Sequence, residues 1–411
     1  MARRDDEYLV ALDLGTRTTR CAIACWRRDG EIVLEGYGEA RTLGVSKGLI
    51  VDAGGAAESV RRTIEAAAER ARVRVYTVLA AVGTPFARGL NSRGCIGIVH
   101  DDKIARGNDA RRALAAANRI SLPADRAVAE VYSQGFAVDD VRGIHNPVGI
   151  AGGRLEAEVH VVTDSLCAHA NVEQAIRQAG FRPERVVFGP LAAAEAVLAS
   201  EEKRLGSVHV DIGAETTSVA IYAGGYPRFS RVLPVGCQHI TNDLAIGLNT
   251  PVPSAAAILR ECGIVDSRRP RRKESVATVQ VPRADGEAAR LVPLWRVGFI
   301  VRARVEEIFD LVSKELDRSG VAAAGAARVV LTGGFCQIKG ARDAAERILR
   351  RAVRFGSVDV ESTLSQFEPG PAHAVLLGTL ARGVSHRERR YDHRFDEGGW
   401  RAMFKRVASW L

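Results

Sequence analysis

Apolar and polar positions alternate over residues 8–14 (YLVALDL) and 20–26 (RCAIACW), and a polar turn, GTRTT, separates the two runs. A period of two puts alternate side chains on one face, so both runs predict strands. Residues 31–37 predict a third. Residues 56–72 change to an alanine-rich helical period and lead into a strand-like VYTVLAAVG. Residues 84–163 mix strand-like stretches with a helix near 109–119, which predicts a small α+β insertion, and 165–179 predict a further helix. At 208 the opening pattern returns as VHVDIG, AETT and SVAIYAGG. Helices are predicted at 237–247 and 253–262, and a long amphipathic one at 298–318. The strand ARVVLTGG and the helix GARDAAERILRRA follow, then a polar linker at 385–399.

The two hairpins echo each other. VALDLGTRTTRCAIA (10–24) and VHVDIGAETTSVAIY (208–222) share strand, Asp-x-Gly, a turn with paired threonines, and strand. Such an internal repeat predicts two related domains facing each other. Each first strand ends in an acid, Asp13 or Asp211, followed by Gly15 or Gly213. Glycine lets the backbone turn tightly and bring its N–H groups to phosphate oxygens. The hydroxyls of Thr16, Thr18, Thr216 and Thr217 add donors. Asp13 and Asp211 are candidates to hold a hydrated Mg²⁺, which keeps its waters and takes few carboxylates. A third element, VVLTGGFCQIKG (329–340), sets Gly333, Gly334 and Phe335 after a strand, where paired glycines leave a flat shelf for a purine.

Composition narrows the classes. A chain of 411 residues, 46% hydrophobic and 26% charged, has a globular balance and the length of two domains or several subdomains. Its net charge of +9 brings no aromatic platform or nucleic-acid motif, so nucleic acid is not an expected partner. No apolar run reaches the roughly 18 residues of a spanning helix, and MARRDDEYLVALDLG lacks the apolar core of a secretory signal. Seven scattered cysteines predict reduced thiols, and no Cys/His spacing suits a structural metal.

Asp-x-Gly-Thr, the second Asp-x-Gly-x-x-Thr and Leu-Thr-Gly-Gly together resemble the signature of the actin/Hsp70 ATPase fold. GIHNPVGIAGGRLEAEVHVVT (143–163), LGVSKGLIVD (43–52) and FEPGPAHAVLLGTLARG (367–383) resemble FtsA, the bacterial cell-division actin homologue. The resemblance implies an α/β, actin-like two-domain ATPase fold with an inserted subdomain. Residues 1–83 with 164–200 would form subdomain 1A and 84–163 the insertion, 1C. Residues 201–240 with 325–384 would form 2A, and 241–324 would form 2B. It also implies ATP and Mg²⁺ as ligands, with Asp13, Gly15, Thr16, Arg17, Thr18, Asp211, Gly213, Ala214, Glu215, Thr216, Thr217, Gly333, Gly334 and Phe335 around them. The implied partners are the FtsZ C-terminal peptide at 2B, further copies in a head-to-tail polymer, later division proteins and anionic inner-membrane lipids. The implied place is the cytoplasmic face of that membrane at the division site. The alternatives are a PilM-like pilus-assembly adaptor and an actin-fold small-molecule kinase.

The sequence departs from that family at several positions. Thr18 stands where a lysine is common, with Arg17 or Arg20 as substitutes. Ala214 and Glu215 replace glycines, and a carboxylate about 4 Å from a phosphate costs about 1 kcal/mol even in water, unless Glu215 points away or holds the metal. Ala256 and Leu259 stand where Glu-x-x-Lys meets the ribose. Gly189 stands where Hsp70-like relatives carry a catalytic acid, and Glu195, six residues on, is expected to face elsewhere. At most a weak ATPase is expected, with ATP acting mainly as a structural ligand that sets domain closure.

The stretch GGWRAMFKRVASWL closes the chain. On a helix, Trp400, Met403, Phe404, Val407, Trp410 and Leu411 share one face, while Arg401, Lys405, Arg406 and Ser409 take the other. Such a rod, roughly 18 Å long, lies in a lipid interface rather than crossing it. The basic run Arg268, Arg269, Arg271, Arg272 and Lys273 reads as a solvated loop within 2B.

Overall fold

The first repeat opens a sheet. In the computed structural model, which describes residues 7–27, 32–263, 265, 277–321, 327–358, 360–364 and 367–392, β1 (Glu7–Leu14) and β2 (Thr18–Trp26) pair antiparallel and place Asp13 opposite Arg20. β3 (Ile32–Arg41) follows, then a small hairpin of β4 (Val45–Ser46) and β5 (Leu49–Ile50). The helix α1 (Ala53–Ala71) is capped by Asp52, whose side chain accepts the Gly54 N–H. Its buried stripe of Ala56, Val60, Ile64 and Ala67 has helical spacing and faces the sheet. β6 (Thr77–Val82) completes this run.

The insertion contains β7 (Arg88–Gly97), α2 (Gly107–Ala117), β8 (Arg126–Val138), β9 (Val141–Ile144) and β10 (Arg154–Ser165). The chain then returns through α3 (Leu166–Gln178), β11 (Arg182–Phe188), α4 (Gly189–Val197) and α5 (Ser200–Leu205).

The second repeat is β12 (Ser207–Ile212) and β13 (Thr217–Ala223), extended by β14 (Tyr226–Leu233). The helices α6 (Cys237–Gly247) and α7 (Val252–Cys262), the hairpin β15 (Thr278–Val281) and β16 (Arg290–Pro293), and α8 (Leu294–Arg318) come next. β17 (Arg328–Thr332), a 3-10 turn at Gly334–Gln337, α9 (Ala341–Leu349), β18 (Val353–Phe355), β19 (Glu361–Ser362) and α10 (Ala374–Asp392) finish the described chain.

Two sheets result. One has the order β11-β6-β1-β2-β3-β19, so a late strand closes the edge of the first half. The other runs β18-β17-β12-β13-β14-β7-β10-β8-β9, so the insertion's strands continue the second half's sheet through β7 and β14. The core of the second half gathers on α8, whose Val297, Val301, Val305, Ile308 and Val312 are buried at helical spacing. α10 packs on the first half's sheet, with Leu376, Leu377 and Leu380 against Leu9, Ala11 and Leu79.

One expectation needs correction. The segment read as a linker from 385 is helical through Asp392, because α10 continues. The buried α4 had no amphipathic pattern to betray it, since Gly189 to Ala194 are all covered. The rest of the linker, the terminal residues 400–411 with Trp400 to Leu411, and the basic loop 268–273 lie outside the described residues.

Candidate nucleotide cleft

The first turn, between β1 and β2, is braced from two sides. Thr42 donates its N–H to the Arg17 carbonyl at 3.0 Å and its hydroxyl to the Gly15 carbonyl at 2.8 Å. From the β4–β5 hairpin, the Gly48 N–H donates to Thr16 Oγ1 at 3.2 Å. The second turn closes on itself by a Gly213 N–H bond to the Thr216 carbonyl at 2.9 Å. The start of α6 sits against it, with the Cys237 N–H on the Gly213 carbonyl at 2.9 Å and the Gln238 N–H on the Ala214 carbonyl at 2.6 Å. The glycine shelf is imposed by geometry. Gly333 has φ 89°, and a Cβ there would lie 2.3 Å from the Ile212 carbonyl oxygen, so only glycine fits.

These elements surround a cleft of about 460 Å³. Asp13, Gly15, Thr16, Arg17, Thr18, Asp211, Gly213, Ala214, Thr216, Gly333 and Gly334 all line it. Three candidate side chains do not. Glu215 turns to the β4–β5 hairpin, where its Oε2 accepts the Lys47 N–H at 2.6 Å and the Ser46 hydroxyl at 3.2 Å. Thr217 is buried and donates to the Val235 carbonyl at 2.8 Å. Phe335 is buried edge-on against Phe309, with 5.6 Å between ring centroids. Of the readings open for Glu215, pointing away is the one observed, and its carboxylate ties the first half to the second.

Burial dominates the electrostatics. It raises Asp13 to about 6, with Asp211 adding to the rise and Arg20 opposing it. Burial also raises Asp211, and a hydrogen bond from Thr332 at 2.7 Å opposes that rise. Arg20 is committed elsewhere: its Nε meets Glu39 at 3.1 Å and its Nη1 donates to the Ala372 carbonyl at 3.3 Å. Arg17 is exposed, lines the cleft and has no ion pair among the described residues. Of the two arginines weighed as the lysine's substitute, Arg17 is the one with its charge unspent.

The two carboxylates suit a cation that arrives with its own ligands. They come from opposite halves and are under-compensated, as their raised values indicate. Among the described residues no group of three or more His, Cys, Asp or Glu gathers to hold a metal. A donor set of two hard oxygens fits Mg²⁺ held mostly by phosphate and water.

At the far end Ala256 and Leu259 line the cleft, with Gln238, Thr241, Arg260 and Gln337 as polar neighbours. Sequence reasoning missed these four. Arg260 was within reach, being next to Leu259 on a helix already predicted. Gly189 also lines the cleft, and a Cβ there would meet Val375 Cγ1 at 3.0 Å and Ala81 Cβ at 3.4 Å. Glu195 points away and pairs with Arg382 at 3.2 Å. The arrangement brings turns from both halves to one cleft and sets no carboxylate at Gly189.

A family model described as cell division protein FtsA matches residues 208–378, and one for the SHS2 domain inserted in FTSA matches 87–163. The cell division protein FtsA of Pseudomonas aeruginosa is 32% identical over 378 residues, covering 92% of this chain and 89% of that protein. Among solved structures, a PilM-PilN type IV pilus biogenesis complex aligns with TM-score 0.63 at 19% identity, covering 92% of this chain and 98% of that one. MreB5 of Spiroplasma citri bound to ADP aligns with TM-score 0.57 at 12% identity, covering 94% and 99%. These two likenesses carry the actin-like fold alone. The identity to the Pseudomonas protein, sustained over most of both chains, carries more: this chain belongs to the FtsA family of cell division proteins.

Proposed function

We propose that the chain is an ATP-binding adaptor that assembles into polymers and ties FtsZ filaments to anionic lipid at the division site. The observation that carries the nucleotide part is the convergence of two braced Asp-x-Gly turns, one from each half, on a single cleft. Backbone N–H groups and hydroxyls of both turns would hold one phosphate tail. Asp13 and Asp211 would hold Mg²⁺, which neutralises phosphate charge. A ligand gripped by both halves favours the closed arrangement in proportion to its preference for it. Gly189 leaves hydrolysis slow or absent.

Closure has a route outward. The segment before α10 and the helix's first turn form part of the cleft: Ala372 accepts from Arg20, the Pro371 carbonyl accepts the Gly333 N–H, and Val375 lines the wall. The same helix leads through Asp392 toward the residues that carry the lipid-facing sequence pattern. Among the described residues no helix is long and apolar enough to cross a membrane, which fits a peripheral attachment. One short amphipathic helix holds lipid weakly, and a polymer of many multiplies that hold.

The FtsZ peptide is assigned to the 241–324 region, where Ile246, Leu291 and Phe299 are 81%, 71% and 62% exposed. Apolar side chains left open to solvent suit a peptide partner. Later division proteins are assigned to the insertion. The test is sedimentation of FtsZ with anionic vesicles. With this chain and ATP present FtsZ pellets, and Phe299→Glu leaves FtsZ in the supernatant while the variant itself still pellets. FtsZ that stays soluble beside pelleted wild-type chain overturns the tethering.

A further inference from the structure

We infer that His209 is a positioning residue for the Asp211 carboxylate, acting through the hydroxyl of Thr332. The inference rests on the nucleotide reading above and adds to it how the second turn's acid is aimed.

His209 and Asp211 stand two apart on β12, so both side chains leave the same face. Thr332 ends β17, the parallel neighbour, in register with Asp211. His209 Nε2 is 2.9 Å from Thr332 Oγ1, and Thr332 Oγ1 is 2.7 Å from Asp211 Oδ1. A threonine hydroxyl has one proton and a carboxylate only accepts, so Thr332 donates to Asp211 and must accept from His209. That fixes the direction of the chain and puts a proton on His209 Nε2. His209 and Thr332 are fully buried, and His209 Nδ1 has no hydrogen-bond partner among the described residues.

A buried imidazole with one nitrogen unsatisfied costs more than an apolar residue among Val208 and Val210 would. The bond to Thr332 is what the imidazole contributes. It holds the hydroxyl in the orientation that occupies Oδ1 and leaves Oδ2 for the cleft. Thr332 also immediately precedes Gly333, so one network fixes both the acid and the start of the shelf.

The test is titration of the full chain with ATP, once with Mg²⁺ and once with EDTA. Thr332→Val is expected to weaken ATP binding about tenfold with Mg²⁺ and less than about threefold in EDTA. Thr332→Ser keeps the hydroxyl and stays within about threefold of wild type in both. His209→Leu weakens only the Mg²⁺ titration, and His209→Gln, which restores an N–H, recovers it. Should Thr332→Val fail to fold, His209→Leu leaves Thr332 in place and carries the test. Unchanged Mg²⁺ titrations for His209→Leu, or equal losses with and without Mg²⁺, overturn the inference. A wild-type chain that binds no ATP in either buffer overturns the nucleotide reading beneath it, and a wild type that binds alongside an unaffected His209→Leu overturns the positioning role alone.

Discussion

Replacing Glu215 by alanine probes how the two phosphate turns are joined. Its carboxylate accepts the Lys47 N–H and the Ser46 hydroxyl, 168 and 169 residues away in the chain. The same hairpin donates Gly48 N–H to Thr16, so the segment straddles both turns. Lys47 has φ 49°, a left-handed conformation that costs a side-chain-bearing residue roughly 1–2 kcal/mol. A hydrogen bond to a charged acceptor contributes about 1.5–3 kcal/mol, and the exposure of Lys47 favours the lower figure. Glu215→Ala therefore loses about 1.5 kcal/mol locally, or roughly tenfold in the opening equilibrium of the hairpin. Hydrogen exchange at Lys47 and Gly48 is expected to speed up by that factor, and trypsin to cut after Lys47 sooner. Glu215→Gln keeps an acceptor oxygen and falls between. Nucleotide affinity should not rise, because the carboxylate already points away from the cleft. Exchange within about twofold of wild type, where tenfold is expected, refutes the strap. A tenfold gain in ATP affinity would place Glu215 against the phosphates instead.

Gly189→Glu is expected to lower the melting temperature without restoring hydrolysis, since its Cβ meets Val375 at 3.0 Å. Overpacking of this kind costs about 1–3 kcal/mol, and adding Val375→Ala recovers part of it. Equal melting temperatures would show the wall is slack. Arg382→Met removes the nearer of two arginines from buried Glu130, which keeps Arg185 at 3.8 Å and hydrogen bonds from the Tyr132 hydroxyl and the Phe188 N–H, and should destabilise by about 1.5–3 kcal/mol in urea unfolding. Glu130→Gln in the same chain recovers most of that loss, and no recovery refutes the pairing. Burial, helped by Arg228, holds His160 at about 4 against an ordinary 6.5, so the folded chain keeps it neutral where the unfolded chain takes up a proton. Its stabilisation is complete above pH 6.5 and is lost as pH falls toward 4, by roughly 3 kcal/mol. His160→Gln flattens that limb of the stability profile, and an unchanged limb contradicts the assignment.

The repeat was legible because each half announces itself with an acid and a glycine at a strand end. Both turns landed on the cleft wall, and α8 was legible from its buried valine stripe. What stayed hidden depended on distant partners. Glu215 reads as a hindrance until Ser46 and Lys47 are seen beside it. Thr217 reads as a phosphate donor until Val235 takes its proton. Phe335 looked available to a purine, but Phe309 covers it. The Glu130–Arg382 pair joins β8 to α10, with Glu195 of α4 bound to the same arginine, and no local pattern marks any of these as buried. The polar run after residue 384 suggested a linker because its charges mask a helix that simply continues.

On the function proposed above, a nucleotide clamp carries a separate lipid-binding segment, and assembly strengthens its grip. Vesicle sedimentation separates this from a clamp without such a segment, using the full chain and a chain ending at residue 399, each with and without ATP. The full chain is expected to pellet on anionic vesicles, more so with ATP, and the shortened chain to stay in solution under both conditions. Equal pelleting of the two chains would refute the lipid-binding role of residues 400–411.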